Sequence, residues 1–86
     1  MAAVTRLLNP PKPVEVTLDP AGSPCYLRGH PLIGDLEAVQ NWRVDTDWWD
    51  NPVCREYWRV LLRGRLLCEI FHECDQDAWF IERIFD

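Results

Sequence analysis

The chain has 86 residues, a length that accommodates one compact domain and not two. Its composition is 48% hydrophobic with five Trp, so it can form a core, yet no stretch approaches the ~18 uninterrupted apolar residues of a membrane-spanning helix. Nine basic against fourteen acidic residues give a net charge of −5, which disfavours unaided nucleic-acid binding, because that affinity comes mostly from Lys and Arg neutralising phosphates.

Met1 to Leu8 carries one Arg and no long apolar run, so it does not read as a secretory signal, and a cytoplasmic location is expected. Residues 1–13 read as a flexible lead-in. Asn9-Pro10-Pro11-Lys12-Pro13 lacks backbone donors at its prolines and favours extended polyproline geometry. Residues 14–86 then read as a single small β domain. Val14, Val16 and Leu18 alternate with Glu15 and Thr17, the period of a half-buried strand. Asp19 to Pro24 is a turn cluster, in which Pro presets φ and Gly22 tolerates positive φ. Cys25 to Arg28 forms a short second strand, ended by Gly29 and Pro31, and Ile33-Gly34-Asp35 marks a further turn. Leu36 to Asp45 is a third strand, on its β-branched and aromatic content.

Two hairpins follow. Tyr57 to Leu62 and Arg65 to Cys74 flank an Arg63-Gly64 turn, and Asp75-Gln76-Asp77 leads into Ala78 to Phe85. A four-residue closure of the second hairpin would set Glu69 opposite Glu82, an unfavourable like-charge pair. A three-residue loop instead pairs Cys74 with Ala78, Phe71 with Ile81 and Glu69 with Arg83, and that register is preferred. Trp58, Val60, Leu62, Leu67, Phe71, Ile81 and Phe85 then share one face. Leu61, Leu66, Cys68, Ile70, Phe80 and Ile84 share the other. With both faces apolar, the fold class is all-β: a small, strongly curved antiparallel sheet or partly open barrel of five to six strands.

The four cysteines, Cys25, Cys54, Cys68 and Cys74, contain no C-x₂-C pair for zinc and read as reduced, small apolar core residues. Asp45 to Asn51 lacks the alternating acids, Gly and distant Glu of a calcium loop, so no metal and no cofactor are expected. No nucleophile–base pair assembles from His30, His72 and the few hydroxyls, so the chain is read as non-enzymatic. The adjacent Trp48 and Trp49, flanked by Asp47 and Asp50, form the leading partner-binding candidate, because exposed Trp anchors protein interfaces. The alternative is a nucleic-acid-binding small barrel in which Arg55, Arg59, Arg63 and Arg65 converge beside Tyr57 and Trp58. A third reading is self-association as a homodimer through an uncovered sheet face.

The set Trp42-x₅-Trp48-Trp49, Tyr57-Trp58-Arg59-Val60, Glu69-Ile70-Phe71, Trp79-Phe80-Ile81 and Arg83-Ile84-Phe85-Asp86 resembles, in that order, an uncharacterised family of small bacterial domains. That family is similar to the C-terminal segment of ImuB-type proteins, the Y-family-polymerase-like members of a damage-induced mutagenesis cassette. The resemblance covers about half the chain, from Trp42 to Asp86. It implies a non-catalytic interaction or accessory module in DNA repair or translesion synthesis. The family commonly has basic residues after the Glu-apolar-aromatic triplet, where this chain has His72-Glu73-Cys74, which weakens an inference of DNA contact. The polymerase-like body is absent, so the resemblance implies no lesion-bypass role.

Overall fold

The computed structural model describes residues 5–46 and 53–85. They form six strands: β1 (Thr5–Leu18), β2 (Pro24–Gly29), β3 (Leu32–Thr46), β4 (Val53–Leu62), β5 (Leu66–Glu73) and β6 (Ala78–Phe85). Each strand pairs antiparallel with its neighbour in chain order, and β1 also pairs with β6, so the ladder closes on itself as a ring. The all-β class and small antiparallel sheet expected from the sequence are therefore what the chain adopts, with the ring closed rather than partly open. No helix among the described residues is long and apolar enough to cross a membrane.

Closure resolves the problem of two apolar faces. One face turns inward, where Leu27, Leu36, Val60, Leu62, Cys68, Ile70 and Ile81 form the buried core, with Val14, Val16, Trp58, Trp79 and Ile84 packed against it. The close approach of β1 to β2 needs a residue without a side chain, because a Cβ at Gly29 would collide with the Val14 side chain.

Of residues 1–13, read as a lead-in, 1–4 lie outside the described residues and the rest do not stand apart from the sheet. From Thr5 they belong to β1, and Thr5, Arg6 and Leu7 pair with Phe85, Ile84 and Arg83. Polyproline geometry lies close to β geometry, and the register shifts between Leu7 and Lys12, the interval that holds Pro10 and Pro11. The Ile33-Gly34-Asp35 turn is also not formed. The chain reverses at His30-Pro31, Gly29 pairs with Leu32, and Gly34 lies within β3, where a Cβ would collide with the Arg63 side chain.

The β4–β5 hairpin differs from the expected one by a single turn residue. Its loop is Arg63-Gly64-Arg65, with Leu62 opposite Leu66 and positive φ at both Arg63 (56°) and Gly64 (68°). A one-residue change in register moves every side chain of a strand to the other face. Leu66, Cys68 and Ile70 therefore join Val60 and Leu62 inside, while Leu67 and Phe71 face outward, against the expected grouping.

The β5–β6 hairpin combines features of both registers weighed from the sequence. Near its turn Glu73 pairs with Ala78 and Phe71 with Phe80, which is the four-residue closure. A bulge in β6 then takes up Glu82, so Glu69 pairs with Arg83 and not with another carboxylate. The expected Phe71–Ile81 and Cys74–Ala78 pairs are not made, and the expected Glu69–Arg83 pair is. The reading of all cysteines as reduced is corrected as well. Cys54 and Cys74 are joined by a disulfide. The pairing of Arg55 with Glu73 brings the next residues, Cys54 and Cys74, across from one another with Cα atoms 5.5 Å apart, a span that a disulfide bridges.

Candidate interaction face

The outward face of the sheet is built by the registers just described. On β4 the outward residues alternate as Arg55, Tyr57 and Arg59, because Trp58 and Val60 point to the core. The pairing sets Tyr57 between Trp42 of β3 and Phe71 of β5, and Phe71 beside Phe80 of β6. Four aromatic rings thus cross four strands in one row. Trp42 and Tyr57 stack nearly parallel, with centroids 5.5 Å apart and planes at 4°. Tyr57 to Phe71 and Phe71 to Phe80 are each 5.2 Å. Pro13 of β1 pairs with Phe80 and continues the row. Phe71 is only 1% exposed although it lies outside the interior cluster, so its burial comes from the row itself and what covers it.

Two arginines cover the row. The Arg55 guanidinium carbon lies 4.5 Å from the Phe71 centroid, and that of Arg59 lies 5.6 Å from the Trp42 ring and 5.2 Å from the Phe85 ring. Each is held by a carboxylate from β5. Arg55 Nε donates to Glu73 at 3.1 Å, and Arg59 Nη2 donates to Glu69 at 2.7 Å. Glu69 is buried, and its second oxygen faces Arg83 Nε at 3.4 Å. Arg55 Nη1 also donates to the Tyr57 hydroxyl at 3.4 Å. That hydrogen bond first, with the Glu73 carboxylate behind it, holds the Arg55 guanidinium more firmly protonated than usual, against the opposing effect of partial burial. Arg55, Arg59 and Arg83 are thus engaged by the two carboxylates Glu69 and Glu73. Beside Phe71 and Phe80 the row ends in a shallow groove of about 320 Å³, walled by Pro10, Pro11, Arg55, Glu73 and Gln76.

The structure separates the residues singled out from the sequence. Asp47, Trp48, Trp49 and Asp50 lie outside the described residues; the flanking Thr46 and Val53 pair with one another. Arg55 and Arg59 flank Tyr57 on the outward side of β4, Arg55 donating to the Tyr57 hydroxyl and Arg59 lying over Trp42 and Phe85. Arg63 and Arg65 sit in the β4–β5 turn, so the four arginines do not converge as the nucleic-acid reading required. Trp58, which that reading also needs, faces the core. Trp42, Phe71, Phe80, Phe85, Glu69 and Glu73 were not singled out as site residues. Their common signal is parity along each strand, which becomes a surface only once three registers are known. Among the described residues no three of His, Cys, Asp and Glu gather as a metal site.

A face of this kind can bind by ring stacking and by guanidinium hydrogen bonds from arginines already held in position. Its carboxylates are engaged in holding those arginines. No protein-family model matches the chain, and no curated protein or solved structure matches it.

Proposed function

We propose that this chain is a non-catalytic protein-interaction module that docks its partner on the outer face of β3–β6. The observation that carries the reading is the row Trp42–Tyr57–Phe71–Phe80 with Arg55 and Arg59 laid over it. Trp, Tyr and Arg are the residue types that dominate interface energetics. Stacking and ion pairs already restrict these side chains, which lowers the entropy lost when a partner orders them. The two guanidinium groups laid over the rings suit a partner segment that presents an apolar or aromatic anchor together with a carboxylate. Trp48, Trp49, Asp47 and Asp50, between β3 and β4 in sequence, extend the same proposal as further partner contacts.

The resemblance to the C-terminal segment of ImuB-type proteins supplies the biological setting for this proposal: bacterial, cytoplasmic, and within DNA repair or damage-induced mutagenesis. The test is a titration of the purified chain against the purified proteins of such a cassette. The proposal expects micromolar or tighter binding to one of them. Binding to none contradicts the repair setting.

The second reading is nucleic-acid binding, favoured by the interleaving of Arg55, Tyr57 and Arg59 with aromatic neighbours. Pairing of both arginines with Glu69 and Glu73 supports it less than it supports protein docking. Titration of Trp fluorescence with single-stranded DNA at low salt separates the two. No quenching under these conditions eliminates the nucleic-acid reading, because electrostatic affinity is greatest there. Self-association through the same face is the third outcome, visible by sedimentation as a dimer.

A further inference from the structure

The disulfide between Cys54, near the start of β4, and Cys74, in the turn after β5, is accompanied by a cation at one of its two sulfurs. Arg43 of β3 places Nη2 3.1 Å from Cys54 Sγ. Its Nε is engaged by Asp45 at 3.0 Å, and both of those side chains are exposed, at 60% and 62%. Asp45 lies opposite Cys54 in the register with its carboxylate turned to Arg43, Glu56 lies opposite Arg43 with His72 on its other side, and Glu73 is occupied by Arg55. Among the described residues, no cation makes a hydrogen bond to Cys74 Sγ. Both cysteines are half-buried, unlike Cys68, which is fully buried. The backbone N–H of Cys74 donates to the Cys54 carbonyl at 3.0 Å, which keeps the two residues adjacent apart from the covalent bond.

We propose that Cys54–Cys74 is a site of reversible thiol–disulfide exchange with a low-molecular-weight thiol of the glutathione class, in which Cys54 departs and returns as the thiolate. The thiolate of the small thiol attacks Cys74 Sγ. The protein S–S bond breaks, and its electron pair goes to Cys54 Sγ, which leaves as a thiolate beside Arg43. A mixed disulfide now stands on Cys74. A second small thiolate attacks the small-molecule sulfur of that mixed disulfide and expels the Cys74 thiolate, which takes up a proton. Two small thiols are oxidised to their disulfide and the protein disulfide is reduced to two thiols. In the reverse direction the Cys54 thiolate attacks the mixed disulfide on Cys74 and displaces the small thiolate.

The asymmetry rests on Arg43. A neighbouring guanidinium stabilises a thiolate, and a thiol that ionises more easily leaves faster. In a reducing compartment such a pair stands as the dithiol and closes when oxidant arrives. This inference does not depend on what the aromatic face binds.

The oxidised 86-residue chain is pulsed with glutathione, acid-quenched and mapped by peptide mass spectrometry. The mixed disulfide is expected on Cys74, and Arg43→Gln is expected to slow the first exchange about three- to tenfold, with Arg43→Lys restoring much of the rate. In Cys74→Ser, the pH profile of alkylation at Cys54 is expected to show a thiol that ionises below the usual cysteine range and moves upward with Arg43→Gln. The pair of substitutions at Arg43 touches an exposed side chain, so folding is retained. A mixed disulfide on Cys54, a rate and profile indifferent to Arg43, or a bridge inert to glutathione would overturn the proposal.

Discussion

Glu69 is the residue on which the outer face turns. It is buried, it receives Arg59 at 2.7 Å, and it faces Arg83 at 3.4 Å. The Arg59 Nε has no hydrogen-bond partner, so Glu69→Ala leaves that guanidinium with still fewer acceptors. Arg59 is one-third exposed, which lets water replace part of the loss, and the expected cost is about 1–3 kcal/mol. A urea midpoint shifted down at constant slope would measure it. Ile70 is the contrasting case, fully buried on the inner face. Ile70→Ala should cost about 2–5 kcal/mol, a large fraction of the stability of any domain this size. The raised protonation of Arg55 has a simple sign. Its contribution is present at every pH below the titration of a free guanidinium and is lost only as pH rises through the folded-state value, so no loss of the Arg55 contribution is expected near neutrality. The parity of Trp58, Val60 and Leu62 as core residues is legible in the sequence. The outward position of Phe71 is not, because it depends on whether the preceding turn has two residues or three.

At the scale of elements, the hairpins show how closely turn chemistry controls faces. Gly64 adopts φ of 68° with open space where a Cβ would stand, so Gly64→Ala acts through the backbone alone. Its expected cost is about 1 kcal/mol, read as a lowered thermal midpoint with no change in the folded spectrum. The Arg63-Gly64 pair signals a turn, yet it does not disclose that Arg65 belongs to the loop too. At the next hairpin the argument against opposing Glu69 and Glu82 identifies the right partner for Glu69. The chain satisfies it with a bulge at Glu82 and not with a shorter loop, because local closure and distant charge pairing are independent demands. The disulfide joins residues separated by 20 in sequence. Reducing it should cost about 3 kcal/mol by the loop-entropy relation, measured as the difference in thermal stability with and without reductant.

Across the whole molecule, closure of the ring is the feature that makes so short a chain workable. A sheet apolar on both faces is half-solvated when open, and it becomes a core plus an aromatic outer face when closed. The Pro-rich segment completes that closure, since Thr5 to Leu7 and Lys12 to Val14 pair with β6. Pro10 and Pro11 also wall the groove at the end of the aromatic row. Removing residues 1–11 uncovers part of the β6 edge, and the truncated chain should be less stable and self-associate in sedimentation, as unpaired strand edges do. Strand content was legible from period-two alternation, whereas the participation of a proline run in a strand was not, because prolines cannot donate to a ladder.

The central claim is that the outer row of aromatics and arginines is a docking surface for a protein. Its most direct test is the affinity of Trp42→Ala and Arg59→Ala for the cassette protein that binds the unsubstituted chain, measured by titration calorimetry beside thermal midpoints. The account predicts that each substitution weakens binding at least about tenfold while the protein stays folded, as expected for hot-spot residues. Undiminished affinity in both variants, each folded as the unsubstituted chain is, would contradict it.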